Sequence, residues 1–126
     1  MAQQAPHIVT GQAGEDLAVR WLERHGFRIE ARNWRKRTGE LDVIAWEGST
    51  LVFVEVKTRR GTTFGSGAES VDARKQRRML RAADAYLQRY ASRPPVCRFD
   101  VVVVAVGDAG DPSVSHLPDA FRPGWA

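Results

Sequence analysis

Two hydrophobic periods alternate along the chain. From Gly11 to His25, Leu17, Ala18, Trp21 and Leu22 recur at helical spacing. Thr10 stands where a helix cap is wanted, and Gly26 where a helix ends. The period then drops to two. In Phe27–Trp34, Phe27, Ile29 and Ala31 alternate with Arg28, Glu30 and Arg32, which predicts a half-buried strand whose alternation breaks at Asn33-Trp34. Glu40–Trp46 and Leu51–Thr58 predict two further strands around the turn Glu47–Thr50. A basic loop, Arg35-Lys36-Arg37-Thr38-Gly39, precedes them, and the glycine-bearing stretch 60–70 follows as a long loop. Helical spacing returns over Val71–Tyr90, where Met79, Ala83, Tyr86 and Tyr90 form a stripe widened by Leu80, Ala82 and Leu87. Pro94-Pro95 end that helix, and Arg98–Val106 reads as a fully buried strand. The tail 107–126 carries Pro112, Pro118 and Pro123, so it predicts irregular chain with one helical turn near Pro118–Phe121.

This order is helix, three strands, helix, strand. Short connections make the first three strands an antiparallel meander. The long helix between the third and fourth makes that pair parallel, with a right-handed crossover. The prediction is therefore a single α/β domain, 1–126, with a mixed central sheet, a core over about 10–106 and an irregular tail.

Composition adds three points. Hydrophobic residues make up 43% of the chain and charged residues 27%, a globular mixture, and no apolar run reaches membrane-spanning length. Cys97 is the single cysteine and the N-terminus lacks a basic start followed by a long apolar segment, so a cytoplasmic protein is expected. The net charge of +4 is unevenly placed: the tail 107–126 has three aspartates against Arg122, which leaves +6 on residues 1–106. The cations cluster at Arg35, Lys36 and Arg37, at Lys57, Arg59 and Arg60, and at Arg74, Lys75, Arg77, Arg78 and Arg81. Such clusters suit a polyanion, nucleic acid first, although a solvated face has the same composition.

The two central strands carry the chemistry. Pairing Trp46 with Leu51, or Glu47 with Thr50, gives one register, and it sets Asp42 opposite Glu55. Alternation then puts Lys57 on the face of Glu55, and Glu40 on the face of Asp42. Opposed carboxylates repel, and a bound cation removes the penalty. Three acids with waters suit Mg²⁺ or Mn²⁺, and a lysine beside the ion would face developing negative charge. Glu15 sits on or beside the apolar stripe of the first helix, three residues before Ala18 and seven before Leu22. A first-turn acid favoured by the helix dipole explains Glu15 as well, and a surface ion cluster explains Asp42, Glu55 and Lys57. Lys75 precedes Met79 by four and Ala82 by seven, in line with the apolar stripe. Arg74, Arg78 and Arg81 share another helix face suited to phosphates.

Asp42 followed by Glu55-Val56-Lys57 resembles the PD-(D/E)xK nuclease superfamily, whose core order is the one read above. Within it the chain is similar to the YraN-like bacterial group, itself akin to archaeal Holliday junction resolvases. The segments GQAGEDLAVRWL, GELDVIA, LVFVEVKTR, FGSGAESVDARKQRRMLRAADAYL, RFDVVVV and HLPDAF carry that similarity. The resemblance implies a restriction-endonuclease-like fold and metal-dependent cleavage of nucleic acid, DNA in particular, with branched or structured DNA as one substrate. It implies Asp42 and Glu55 as ligands of Mg²⁺ or Mn²⁺, Lys57 as the catalytic lysine and Glu15 as an accessory acid. The superfamily's namesake proline is absent, since Leu41 precedes Asp42. Glu40 either assists the metal or solvates the strand end. Cutting a junction would need two sites, hence a homodimer. The competing readings are a nucleic-acid-binding module that keeps the fold without cutting, and a protein-interaction domain that uses the apolar tail.

Overall fold

The computed structural model describes residues 11–60, 71–106 and 111–122. Thr10, the stretch 61–70 and the side chain of Arg60 lie outside the described residues. Helix α1 runs Gly11–Arg24, followed by strands β1 (Arg28–Lys36), β2 (Gly39–Glu47) and β3 (Thr50–Arg60). Helix α2 (Ala73–Leu87) passes into a 3₁₀ turn, Gln88–Tyr90. Strands β4 (Cys97–Val106) and β5 (Pro112–Phe121) complete the chain. The strands form one sheet in the order β1-β2-β3-β4-β5. Pairing is antiparallel for β1 with β2 and for β2 with β3, and parallel for β3 with β4. The single α/β domain core and the mixed sheet are those the periods predict.

The element bounds show local chemistry at work. Asp72 caps α2, its side chain accepting from the Lys75 N–H at 2.9 Å, so the helix begins later than the apolar pattern alone implies. The basic stretch after Asn33 is largely strand, because Arg35 and Lys36 pair with Glu40 and Gly39.

The tail departs from expectation. Residues 112–121 are not irregular with a helical turn; they form β5, an antiparallel edge strand on β4. Its prolines are tolerated because an edge strand leaves one row of amides unpaired. Asp100 holds it in place. This fully buried carboxylate accepts from Arg98 at 2.7 and 2.8 Å and from the Asp119 N–H at 3.0 Å, and lies 2.7 Å from His116 Nε2.

Alternation sends the sheet's apolar residues into two layers. Leu51, Phe53, Phe99 and Val101 pack with Met79, Ala83 and Tyr86 of α2. Val52, Val54, Val102 and Val104 pack with Ala18, Val19 and Leu22 of α1. The helices thus cover opposite faces. Glu30 of β1 gathers the Tyr86 hydroxyl and the Trp46 indole N–H, which fixes α2 along the sheet. Gly39 sets the closest approach: a Cβ there would stand 2.5 Å from the carbonyl oxygen of Arg78. A side chain at that position would push α2 away from the hairpin.

Candidate active site

The strand period slips on β2. Leu41 packs in the α2 layer, whereas Val43 and Ala45 pack in the α1 layer, so strict alternation fails around Asp42. On β1, Asn33 has φ +51°, a left-handed conformation that asparagine tolerates better than most residues. The recorded β2–β3 pairs run from Glu47–Thr50 to Val43–Val54, in the register expected from sequence. Past them, Asp42 Oδ2 accepts the Val56 N–H at 2.9 Å. The side chain takes an amide that a ladder carbonyl would otherwise meet, and the strands part here.

The gap holds the predicted carboxylate pair. Asp42 lies against Glu55, near enough for a proton to be shared between the two carboxylates, and Glu55 is only 3% exposed. Two ammonium groups converge on Glu55 Oε2: Lys75 Nζ at 2.8 Å and Lys57 Nζ at 3.5 Å. Burial, reinforced by the charge of Glu55, pushes the Asp42 carboxyl up to about 7, although the Val56 N–H and Lys75 pull the other way. Burial would lower the Lys75 ammonium. The hydrogen bond to Glu55 and the charges of Glu55, Asp42 and Glu40 outweigh it, and the net direction is up. Lys75, counted by sequence among the nucleic-acid-binding cations yet aligned with the apolar stripe and so directed toward the site, reaches the acid pair.

Glu15 lies 7% exposed on α1 and lines the same cleft as Asp42, a space of roughly 340 Å³ bounded also by Asn33, Arg35, Val56 and Thr58. Its Oε1 accepts from Asn33 Nδ2 at 2.8 Å and from Arg32 at 3.1 and 3.2 Å. Among the described residues, no three His, Cys, Asp or Glu groups stand close enough together to hold one ion. Asp42 and Glu55 stand there as a pair, the two residues that the resemblance implies as ligands. An adjacent pair of hard oxygen donors fits a divalent ion that keeps most of its waters.

Among the described residues, the remaining cations divide into tied and untied. Arg35 pairs with Glu40 at 3.1 Å, which assigns Glu40 to the hairpin surface, and Lys36 lies 5.7 Å over the Trp34 ring. Arg37, Arg74, Arg78 and Arg81 are exposed, and Arg59 is half-buried beyond Lys57 on β3. Sequence reasoning missed Arg32 and Asn33, whose side chains hold Glu15; the broken alternation at Asn33, where the backbone is left-handed, was the available signal. It also missed the Asp100 cluster, marked only by one acid inside the run Phe99–Val106.

The model of the uncharacterised protein family UPF0102 matches residues 14–104, a span that contains Glu15, Asp42, Glu55, Lys57 and Lys75. A UPF0102 protein of Symbiobacterium thermophilum is 52% identical over 112 residues, covering 89% of this chain and 95% of the relative. One from Rhodococcus jostii is 48% identical over 117 residues, 93% of this chain and 99% of its own length. One from Bacteroides thetaiotaomicron is 46% identical over 119 residues, 94% and 97%. With most of the chain matched by the family model and relatives aligned along nearly their whole length, the chain belongs to the UPF0102 family, the YraN-like group that its sequence resembles.

Proposed function

We propose that this chain is a metal-dependent nuclease that hydrolyses phosphodiester bonds of DNA. The observation that carries the reading is the carboxylate pair itself: Asp42 lies against Glu55 in the gap between β2 and β3, with Lys57 and Lys75 on the buried Glu55. Such a pair costs stability unless a proton or a cation sits between its members. Asp42 and Glu55 would hold Mg²⁺ or Mn²⁺, which when bound polarises the phosphoryl group and lowers the pKa of an attacking water. Lys57 presents its ammonium to the negative charge that develops on the phosphate. Lys75 fixes the rotamer of Glu55 from α2. Glu15, locked by Arg32 and Asn33, shapes the cleft wall as an accessory acid. The untied arginines of α2 supply backbone contacts.

The test is a panel of end-labelled DNA and RNA, comprising single strand, duplex, flap and four-way junction, incubated with Mg²⁺ or Mn²⁺. Cleavage of at least one DNA structure, abolished by EDTA, is expected. Binding of DNA without cleavage of any member would replace the nuclease with a binding module of the same fold.

A further inference from the structure

A second cleft, roughly 190 Å³, lies between the β1–β2 turn and α2. Lys36, Arg37 and Arg78 face it, with Arg35 and Glu40. Arg35 is neutralised by Glu40 at 3.1 Å. Lys36, Arg37 and Arg78 have no acidic partner among the described residues. The fold presses these like charges together rather than letting them spread: Gly39 brings the hairpin against the backbone of Arg78, where a Cβ would stand 2.5 Å from the carbonyl oxygen. Three gathered cations repel unless an anion joins them, and a space of this size has room for one phosphate group.

Two observations relate this cleft to the acid pair. Arg35 lines both clefts. Arg78 follows Lys75 by three residues, about one turn of α2. The geometry points to a phosphate-anchoring subsite in which Lys36, Arg37 and Arg78 hold one backbone phosphate of a nucleic-acid strand while the neighbouring segment lies at Asp42 and Glu55. The identity of the strand rests on the proposed function, whereas the anion site rests on the cleft alone. Anchoring one phosphate beside the acids would set which bond of the strand meets them.

The experiment is fluorescence anisotropy with a labelled DNA single strand and a labelled duplex, in EDTA, over a salt series. The double variant Arg37→Ala/Arg78→Ala is compared with Arg20→Ala/Arg24→Ala, which removes the same charge from exposed positions of α1 on the other face of the sheet. Arg37 and Arg78 are exposed, so neither change removes packing. The cleft variant is expected to lose about 10-fold more affinity than the control. Its slope of log K against log salt should fall by about 1, the signature of one lost phosphate contact. Equal losses in the two variants would overturn the subsite, since net charge would then account for binding. If neither DNA binds, while inorganic pyrophosphate raises Tm in wild type and not in the cleft variant, the strand is the wrong occupant and free phosphate the right one. If binding behaves as expected but no DNA is cut with Mn²⁺, the nuclease reading fails and the subsite stands.

Discussion

Asp42 is held against its own charge. Its carboxyl titrates near 7 because burial and Glu55 favour the protonated form, so the folded protein binds a proton more tightly than the unfolded chain does. The stabilising contribution is complete below the ordinary aspartate value and is lost as pH rises towards and through about 7. Asp42→Asn offers an oxygen to the Val56 N–H and an N–H to Glu55 without ionising. In EDTA it should therefore exceed wild type in stability at pH 8, by about 2–4 kcal/mol, and match it near pH 4. Urea denaturation at both pH values checks this, and equal stability at pH 8 would refute the buried pair. The lysines separate differently. Lys57→Met should slow DNA cleavage about 10²–10³-fold with unchanged affinity, because its charge acts where negative charge develops. Lys75→Met should also cost about 1–3 kcal/mol in urea denaturation, since the buried Glu55 loses its closer partner. Glu55 and Lys57 were legible because a strand register needs only a turn and an alternation, whereas the slip at Asp42, which ends the ladder there, left no mark in the pattern. Lys75 was half legible, from its alignment with Met79 on α2. The partners of Glu15 were not, because they depend on the left-handed backbone at Asn33, which a pattern marks only as a break.

At the scale of elements, the two helices and the first four strands follow from period and punctuation, and β5 does not. Its prolines and serines read as a loop because an edge strand needs neither continuous burial nor a full set of amide donors. What secures β5 is tertiary: Asp100 of β4 holds Arg98, His116 and the Asp119 N–H. Burial would raise the Asp100 carboxyl, but the hydrogen bonds from His116, Arg98 and the Asp119 backbone prevail and lower it. The stability this gives is present above the ordinary aspartate value and disappears as pH falls through the lowered one. Asp100→Ala should therefore cost about 3–5 kcal/mol at pH 7, by leaving Arg98 and His116 without their buried partner. Hydrogen exchange should show the β5 amides opening well before those of β3. Retained protection of β5 in that variant would mean that ladder pairing alone suffices.

Over the whole molecule, the sheet separates an α1 layer from an α2 layer. The acid pair lies where β2 and β3 part, flanked by β1 and α2. Arg35, Lys36, Arg37, Arg74, Arg78 and Arg81 belong to those two flanking elements and the turn after β1, which is why composition alone pointed to a polyanion. No helix among the described residues is long and apolar enough to cross a membrane. The central claim is that Asp42 and Glu55 form a catalytic centre for cutting DNA, and the most direct measurement is single-turnover cleavage on the best substrate of the panel. Wild type and Glu55→Gln, purified in parallel, are compared with Mn²⁺ and again with EDTA. The account predicts cleavage by wild type with Mn²⁺ alone, and a rate at least about 10³-fold lower for Glu55→Gln, which still binds the DNA. Equal cleavage by both proteins, or none by wild type on DNA that it binds, would contradict it.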